Sequence, residues 1–343
     1  MIPAINDSHH ILTANSRNQY LPSIGLISNA NSRRNQSKLA RVDSIVANHP
    51  RIHHRMTHRE DEIPAVLKEF SRLGVNVLAI NGGDGTTARV FANLLEHNHF
   101  TDLPGIILLP GGTTNMNVGD VGLQGSLTTG VQRMATWALQ GEGSIEMQKR
   151  AILRVEGASD GNLAYGMFFG AGTIISGIEY CTEKIHTRGI RDELAPGLVM
   201  LRTIWGIVRR EPYFSDPTSM DITLDRQDTL QSRPVVQLLI TSLQRLFLGL
   251  RPYWGQEPGV LHSTWIEKPT KKVLRAFPAL IRGKTNRHVT PENGYFSHNA
   301  DQIQLHMDGI FTLDGEMYPA SREYGPLSIS NGGALEFLRI GRS

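Results

Sequence analysis

Short apolar runs alternate with apolar stripes of helical spacing over the N-terminal third of the chain. The runs are Ile24 to Ser28, Val75 to Ile80 and Gly105 to Pro110, and none alternates with polar residues. Strands of this kind are typically buried on both faces, as in parallel sheets. The helical stripes between and after them are Leu39, Val42 and Val46; Ile63, Val66, Leu67, Phe70 and Leu73; and Val90, Phe91, Leu94 and Leu95. This order predicts an α/β domain with a parallel sheet.

From about Glu146 the pattern changes to strand-like segments, several of them alternating, with Gly and Asx turns between them. It predicts a β-rich second domain resembling an antiparallel sandwich. Two apolar stretches interrupt it, Glu193 to Arg210 and Pro269 to Lys284, and the second has a basic rim. The predicted organisation is a polar arm over residues 1–22, the α/β domain over 23–143, the β-rich domain over 144–320, and a segment over 321–343 that returns to the first domain.

Three polar loops follow the predicted parallel strands: Asn29 to Arg34, Asn81 to Thr86, and Gly111 to Asn115. Ligands of open α/β sheets bind at the carboxyl ends of the strands. Glycines let the backbone approach a phosphate closely, although the spacing matches neither the Walker pattern nor G-x-G-x-x-G. A carboxylate beside a phosphate needs a cation or a proton between them, so Asp84 suggests Mg²⁺ and phosphoryl transfer. The alternative is an Asp that caps the following helix.

Composition narrows the class of protein without naming a reaction. The 343 residues are 40% hydrophobic and 20% charged, with a net charge of +3 and a pI near 9.0. This mild basicity suits anionic small molecules or an anionic membrane face better than nucleic acid. The single cysteine, Cys181, excludes an intrachain disulfide, and the thirteen histidines show no zinc pattern. No signal peptide or membrane span is evident, so we expect a cytoplasmic protein.

Several motifs in order resemble the catalytic domain of the diacylglycerol kinase family. They are Gly-Gly-Asp-Gly-Thr at 82–86, Leu-Pro-Gly-Gly-Thr-Thr-Asn at 109–115, the loop at 28–34, the glycine-rich strand from Phe168 to Ile178, and Asp-Gly-Glu at 314–316. The family includes diacylglycerol, sphingosine and ceramide kinases and is distantly related to NAD kinase. The resemblance spans about Ile24 to Ile340.

The resemblance implies a lipid kinase. An α/β domain would bind ATP and Mg²⁺, a β-rich domain would hold the acyl chains, and the γ-phosphoryl group would pass to a lipid hydroxyl in the cleft between them. Diacylglycerol is the default acceptor, with ceramide, sphingoid bases and monoacylglycerol as alternatives. Peripheral association with the inner face of the membrane follows, and the oligomeric state is left open. Two other functions stay open: a NAD kinase-like enzyme with a soluble acceptor, and a catalytically silent nucleotide- or lipid-binding module.

The resemblance also assigns residue roles. Asp314 becomes the general base, although Asp-Gly between strands is equally a hairpin signal. Asp84 becomes the second catalytic residue and the Mg²⁺ ligand. The nucleotide-binding candidates are Asn29, Ser32, Arg33, Thr57, Gly82, Gly83, Gly85, Thr86, Gly111, Gly112, Thr113, Asn115 and Glu316. Arg150 is a weaker candidate for neutralising phosphate charge.

The chain departs from the family pattern at three places. Arg89 stands where the family commonly has Glu, at the mouth of the expected site. Met116 replaces an Asp of the second glycine motif, and Asp120 lies four residues on as a candidate substitute. The segment Glu257 to Trp265 lacks the family's Asp-Asp-Gly, so we expect no structural metal there.

Overall fold

The structure is a computed structural model that describes residues 10–12, 21–32, 37–111, 117–141, 144–175, 209, 211, 216–225, 227–246 and 249–341. The predicted site residues Arg33, Gly112, Thr113 and Asn115 lie outside the described residues. So do Met116, Cys181 and nearly all of the apolar stretch from Glu193 to Arg210. Among the described residues, no helix combines the length and the hydropathy that crossing a bilayer requires.

The chain separates into two compact units. The first comprises Met1–Arg150 together with Ala334–Ser343, and the second comprises Ala151–Gly333. The sequence-based divisions fall after residues 143 and 320, whereas the two units divide after Arg150 and after Gly333. The first unit is therefore discontinuous in sequence, since its last segment follows the whole of the second unit.

The first unit contains a parallel sheet of order β3-β2-β4-β5-β16. Its strands are β2 (Ile24–Asn29), β3 (Ile52–Thr57), β4 (Val77–Asn81), β5 (Gly105–Leu108) and the last residues of β16 (Leu327–Ile340), where Phe337 pairs with Ile106. A short strand, β1 (His10–Leu12), pairs antiparallel with the start of β6 (Ile145–Glu156). The predicted parallel α/β domain is confirmed.

The helices of this unit are α1 (Leu39–Val46), α2 (Ile63–Arg72), α3 (Asp84–Glu96), α4 (Val118–Val121) and α5 (Leu127–Gln140). A 3₁₀ turn, Glu60–Glu62, precedes α2. Gly74 follows the end of α2 with φ +69°, the left-handed conformation that commonly ends a helix. The side chain of Ser126 caps α5 by accepting the N–H of Thr129. Local sequence therefore sets several of the helix ends.

Strand β3 is absent from the sequence-based pattern. Its residues read Ile-His-His-Arg-Met-Thr, which offers neither an apolar run nor alternation. Among the strands that the structure describes, β3 pairs with β2 alone, so it is the edge of the parallel sheet. An edge strand has fewer neighbours that exclude water from its side chains, and so polar residues are tolerated along it.

A large apolar cluster packs within the first unit. It joins the strands to α1 and α5 and includes residues of the late segment: Ile24, Leu26, Val42, Val46, Ile52, Val77, Ala79, Ile107, Leu109, Leu123, Leu127, Val131, Met134, Ala135, Ala138, Leu338 and Ile340. Phe337 of the same segment is fully buried and meets Phe91 edge to face, with ring centroids 5.9 Å apart. The late segment is therefore an integral part of this core.

The second unit is β-rich and its described pairings are antiparallel. Its strands are the end of β6, β7 (Ala164–Gly166), β8 (Phe168–Gly172), β9 (Thr218–Leu224), β10 (Leu230–Thr241), β11 (Leu261–Glu267), β12 (Tyr295–Ala300), β13 (Gln302–His306), β14 (Gly309–Leu313), β15 (Glu316–Ala320) and the start of β16. The order β15-β14-β8-β10-β9-β13-β16 runs through the unit. The predicted fold class is confirmed here as well.

The core of the second unit is a separate cluster that contains Trp265, Phe169 and Phe311, all with no exposed surface. Phe169 and Phe311 stack with ring centroids 4.9 Å apart. Between β11 and β12 the chain forms a helix, α6 (Val273–Leu280), and a 3₁₀ turn, Pro291–Asn293. A smaller apolar cluster around Ala276, Leu280, Val289 and Tyr295 holds this excursion against the strands.

Candidate active site

The carboxyl ends of the parallel strands bring the predicted loops of the first unit to one sheet edge. Asn29 at the end of β2 is in register with Thr57 at the end of β3, and Ser28 is in register with Asn81. The backbone N–H of Ala30 donates to the carbonyl of Thr57 at 2.9 Å. This is the edge at which open α/β sheets bind ligands.

Two side-chain hydrogen bonds join predicted residues of different loops. Asn29 Nδ2 donates to Thr86 Oγ1 at 2.7 Å, which connects the first loop to the start of α3. Ser32 Oγ donates to the carbonyl oxygen of Gly111 at 2.7 Å, which connects the first loop to the loop after β5. The structure thus brings Asn29, Ser32, Thr86 and Gly111 together, in addition to Thr57.

The glycine-rich segment is shorter as a loop than the sequence suggests, because α3 already begins at Asp84. Gly85 and Thr86 therefore belong to the first turn of a helix instead of to a free loop. Gly83 is the N-cap residue, and the N–H of Thr87 donates to its carbonyl at 3.1 Å. The amides ahead of Thr87 are those that a helix leaves without intrahelical partners, at the positive end of its dipole. Such a terminus is a natural phosphate site.

Gly82 is needed for the close approach of β4 to this helix. A Cβ at position 82 would lie 2.7 Å from Cβ of Thr86, well inside contact distance. At Gly83, by contrast, a Cβ would meet no atom within 4 Å. The two neighbouring glycines consequently have different roles: one allows packing, and the other leaves open space in front of the helix.

Asp84 is a half-buried residue in the first turn of α3. Asp84 is not the N-cap residue itself, which is Gly83, but the first residue of the helix. Mg²⁺ in phosphoryl-transfer sites is commonly held by one or two carboxylates together with phosphate oxygens and water. The role of Asp84 as a Mg²⁺ ligand stays a prediction. Within the described parts of the chain, no three His, Cys, Asp or Glu side chains group as a metal site.

A hydrogen-bonded series of side chains behind the loops, buried at Ser28 and exposed at Asp43, was not predicted from the sequence. Ser28 Oγ, with no exposed surface, accepts from Asn81 Nδ2 at 3.0 Å and lies 3.0 Å from His54 Nε2. His54 Nδ1 lies 3.3 Å from Asp43 Oδ1. Burial lowers the pKa of His54, while the hydrogen bond that His54 donates to Asp43 opposes this shift. A neutral imidazole protonated on Nδ1 would donate to Asp43 and accept from Ser28.

Asp43, His54 and Ser28 resemble the order of a hydrolytic triad, but the burial of Ser28 argues for a supporting role. The hydrogen bond between Ser28 and Asn81 holds the ends of β2 and β4 together. The only sequence signal was a polar strand, since β3 carries two adjacent histidines where apolar residues would be usual.

Arg89 and Arg150 are engaged within the protein. Arg89 Nε lies 3.0 Å from Glu60 Oε2 on the surface, with both side chains more than half exposed. Arg150 Nε donates to Asp120 Oδ2 at 3.0 Å, and both side chains are buried. The prediction that Arg150 neutralises phosphate charge is therefore wrong, because its guanidinium forms a buried ion pair with the carboxylate of Asp120. Equally, Asp120 faces Arg150 and is not free to replace the missing Asp of the second glycine motif.

Asp314 lies in the second unit, in the two-residue turn between β14 and β15. Leu313 is in register with Glu316, and Asp314 and Gly315 have φ values of +50° and +97°. Positive φ at both central positions is typical of the tight hairpin turn that favours Asp-Gly. The hairpin reading is therefore confirmed, whereas the base role stays a prediction. Glu316 opens β15 and is exposed.

The carboxylate of Asp314 is 1% exposed and binds the chain between β7 and β8. Its oxygens accept the N–H of Met167 at 3.0 Å and that of Phe168 at 2.8 Å. The N–H of Asp314 in turn donates to the carbonyl of Phe168 at 2.8 Å. A Cβ at Gly166 would lie 2.9 Å from Asp314 Oδ2, so only glycine leaves room for this contact.

Asp225, at another turn of the same unit, repeats this arrangement. Its φ is also +50°, and its Oδ1 accepts the N–H groups of Asp301 and Gln302, each at 2.9 Å. Its own N–H donates to the carbonyl of Gln302 at 2.7 Å. The two turns differ in exposure, since Asp225 is open to solvent and Asp314 is buried. A structural clamp is thus one function that the Asp314 carboxylate performs.

Comparison with known proteins agrees with the motifs. The family model of the diacylglycerol kinase catalytic domain matches residues 23–141. A candidate diacylglycerol kinase from Bacillus anthracis str. Sterne has a similar solved structure, with 16% identity, a TM-score of 0.60, and coverage of 94% of this chain and 97% of that one. A further structure described in the same way has 17% identity, a TM-score of 0.57 and the same coverage. A comparison with curated proteins found no match.

At such identities the solved structures establish the fold alone. They extend the likeness over both units, while the family model covers the segment that carries the first two glycine motifs. Residues 23–141 of this chain match the catalytic domain of the diacylglycerol kinase family.

Proposed function

We propose that the protein is an ATP- and Mg²⁺-dependent lipid kinase. The observation that carries the proposal is the start of α3 in a catalytic domain of this family, where Gly82 packs on Thr86 and open space remains in front of Gly83. The open amides of the first turn and the adjoining loops suit a polyphosphate. Asn29, Ser32 and Thr57 lie at the same edge of the sheet, and their position supports the proposal that a nucleotide binds there.

The chain's own residues would act mainly by positioning. Amides at the start of α3 would bind phosphate oxygens, and Asn29 would hold Thr86 in place through the 2.7 Å bond. Asp84 would hold Mg²⁺. A bound Mg²⁺ ion would neutralise the negative charge that builds up on the leaving group during transfer. Arg33, Gly112, Thr113, Asn115 and Glu316 belong to the proposal as further nucleotide contacts.

The proposed transfer is a displacement at the γ-phosphorus of ATP. The oxygen of the lipid hydroxyl forms a bond to phosphorus, the bond from phosphorus to the bridging oxygen breaks, and ADP leaves. The hydroxyl proton passes to the carboxylate of Asp314. Because Asp314 is buried in a hairpin, the turn would have to open for the acceptor to reach it.

Diacylglycerol is the proposed acceptor, with ceramide, sphingoid bases and monoacylglycerol next. Since these molecules reside in bilayers, the enzyme would associate peripherally with the inner face of a membrane and remain otherwise cytoplasmic. Nucleic acid is not a proposed partner.

The test is an assay with labelled ATP, Mg²⁺ and dispersed lipids from that panel, with NAD as a parallel acceptor. We expect a labelled lipid phosphomonoester from the wild-type protein and loss of label with Asp84→Asn. Asp314→Asn should remain folded and lose turnover if Asp314 is the base. Labelling of NAD alone would indicate the NAD kinase-like alternative. Nucleotide binding without transfer to any acceptor would indicate the silent module and overturn the proposal.

A further inference from the structure

The excursion between β11 and β12 is strongly cationic. From Lys268 to Pro291 the sequence holds seven Lys or Arg and no Asp or Glu. We call residues 268–291 the basic segment. All seven cations are exposed, and the structure pairs Lys268 with Asp216 at 3.6 Å. The other six make no ion pair with a carboxylate among the residues that the structure describes. They are Lys271, Lys272, Arg275, Arg282, Lys284 and Arg287.

Three of these charges come within electrostatic range of one side chain although they are spread along the sequence. His288, near the end of the segment, has its pKa lowered by desolvation and by the charges of Arg287, Lys272 and Arg275. Lys272 and Arg275 belong to the start of α6, whereas Arg287 belongs to the loop after it. Charges from both ends of the segment therefore act on the same imidazole.

An apolar strip lies among the cations. Leu274 of α6 is 64% exposed, the highest value for a large aliphatic side chain in the described part of the chain. Pro278, one turn later, is also exposed, and Phe277 beside it is only half-buried. The opposite side of α6, with Ala276 and Leu280, packs into the apolar cluster of the excursion. The outward side of the helix is consequently not required by the core.

We propose that the basic segment is a docking surface for an anionic lipid bilayer. Each basic residue near an anionic membrane surface favours binding, and an apolar side chain among them gains by entering the interface. A nucleic acid or an acidic polypeptide would satisfy the cations but would offer Leu274 little apolar contact. The net charge of only +3 means that this cationic character is local to the surface. The inference concerns partner binding and does not rest on the proposed phosphoryl transfer.

The test is co-sedimentation of the full chain with phosphatidylcholine vesicles, with and without phosphatidylglycerol. We expect binding only when phosphatidylglycerol is present, and weakening as salt rises because surface charges are screened over about 10 Å at 0.1 M. The variant with Lys271→Gln, Lys272→Gln and Arg275→Gln should bind roughly a hundredfold more weakly. Leu274→Ser should weaken binding roughly tenfold and leave the salt dependence in place.

The matched control removes three exposed cations from the first unit: Arg41→Gln, Lys68→Gln and Arg72→Gln. It changes the net charge equally and should bind as the wild type does. Circular dichroism and thermal unfolding establish that each variant is folded. Equal binding of the two triple variants, or no binding of the wild type, would overturn the proposal. Binding of heparin in preference to vesicles would overturn it too and indicate a different polyanion. Failure of the kinase assay alone would leave it standing.

Discussion

At the scale of single residues, the two glycines before α3 give a sharp contrast. Gly82→Ala would place a Cβ 2.7 Å from Cβ of Thr86, so we expect a loss of about 1–3 kcal/mol in the free energy of unfolding. Gly83→Ser places its Cβ in open space at the N-cap, with φ −83°, where serine is favoured. It should be neutral or slightly stabilising. Urea unfolding of both variants checks this, and equal stability of the two would contradict the packing argument.

His54 should make the stability depend on pH. Its pKa in the folded protein lies below its unfolded value of about 6.5, with burial as the main cause. The unfolded chain then binds more protons, so the stability is fully present above about pH 6.5 and falls as the pH drops through the folded pKa. Compared with wild type, His54→Gln should lose less stability between neutral and mildly acidic pH.

Urea midpoints across that range measure the difference, with His58→Gln as the control for loss of an exposed imidazole. A pH dependence of His54→Gln identical to that of the wild type would show that the buried imidazole does not carry the effect.

The sequence predicted those site residues that belong to a recognisable motif or have a defined effect on the backbone. Asn29, Thr86 and Gly111 belong to recognisable loops, and the structure brings them together. The sequence did not predict the role of His54, and it gave Arg150 the wrong partner. The hydrogen-bond partners and the burial of a side chain depend on which strands become neighbours in the fold. Nothing local to Arg150 indicates that Asp120 faces it across the fold.

At the scale of elements, the hairpin of β14 and β15 predicts a stability cost for losing the Asp314 carboxylate. Asp314→Ala would leave two buried backbone N–H groups without this acceptor and place alanine at φ +50°, so we expect a loss of about 2–5 kcal/mol. Asp225→Ala removes the same contacts at an exposed turn, where water can replace the carboxylate, and should cost less.

Chemical denaturation of the two alanine variants gives the comparison, and Asp314→Asn adds a version that keeps one acceptor oxygen. If Asp314→Ala is as stable as the wild type, the carboxylate does not clamp the hairpin.

Element prediction succeeded where burial dictates the pattern and failed where it does not. β2, β4 and β5 are apolar runs because both faces are covered, and each was identified. β3 lies at the edge of the sheet, and its polar sequence carries no such signature. The start of α3 was placed too late, since Gly85 reads as a loop residue although it forms the first turn.

At the scale of the whole molecule, the first unit should not fold without its late segment. Phe337, Leu338 and Ile340 are buried in this unit. Losing three such side chains lowers the free energy of unfolding by about 5–9 kcal/mol, which is comparable to the stability of an entire domain. A fragment of residues 21–150 should therefore be poorly ordered. Adding residues 334–341 through a flexible linker should restore a dispersed NMR spectrum.

The control is the same fusion carrying Phe337→Asp, which should fail to restore order. A well-folded 21–150 fragment would contradict the prediction. The sequence indicated a returning C-terminal segment from its apolar character, but not where the division falls, because β16 runs without a break from one unit to the other.

The divided first unit has a consequence for biosynthesis. Chains emerge from the ribosome N-terminus first, and domains generally fold as they are completed. Here the sheet that carries the candidate phosphate site lacks its last strand until residues 334–340 have been translated, after the whole second unit. A ribosome-bound intermediate would hold the glycine motifs but no finished core around them. Premature termination anywhere in the second unit would therefore release a chain without a completed nucleotide domain.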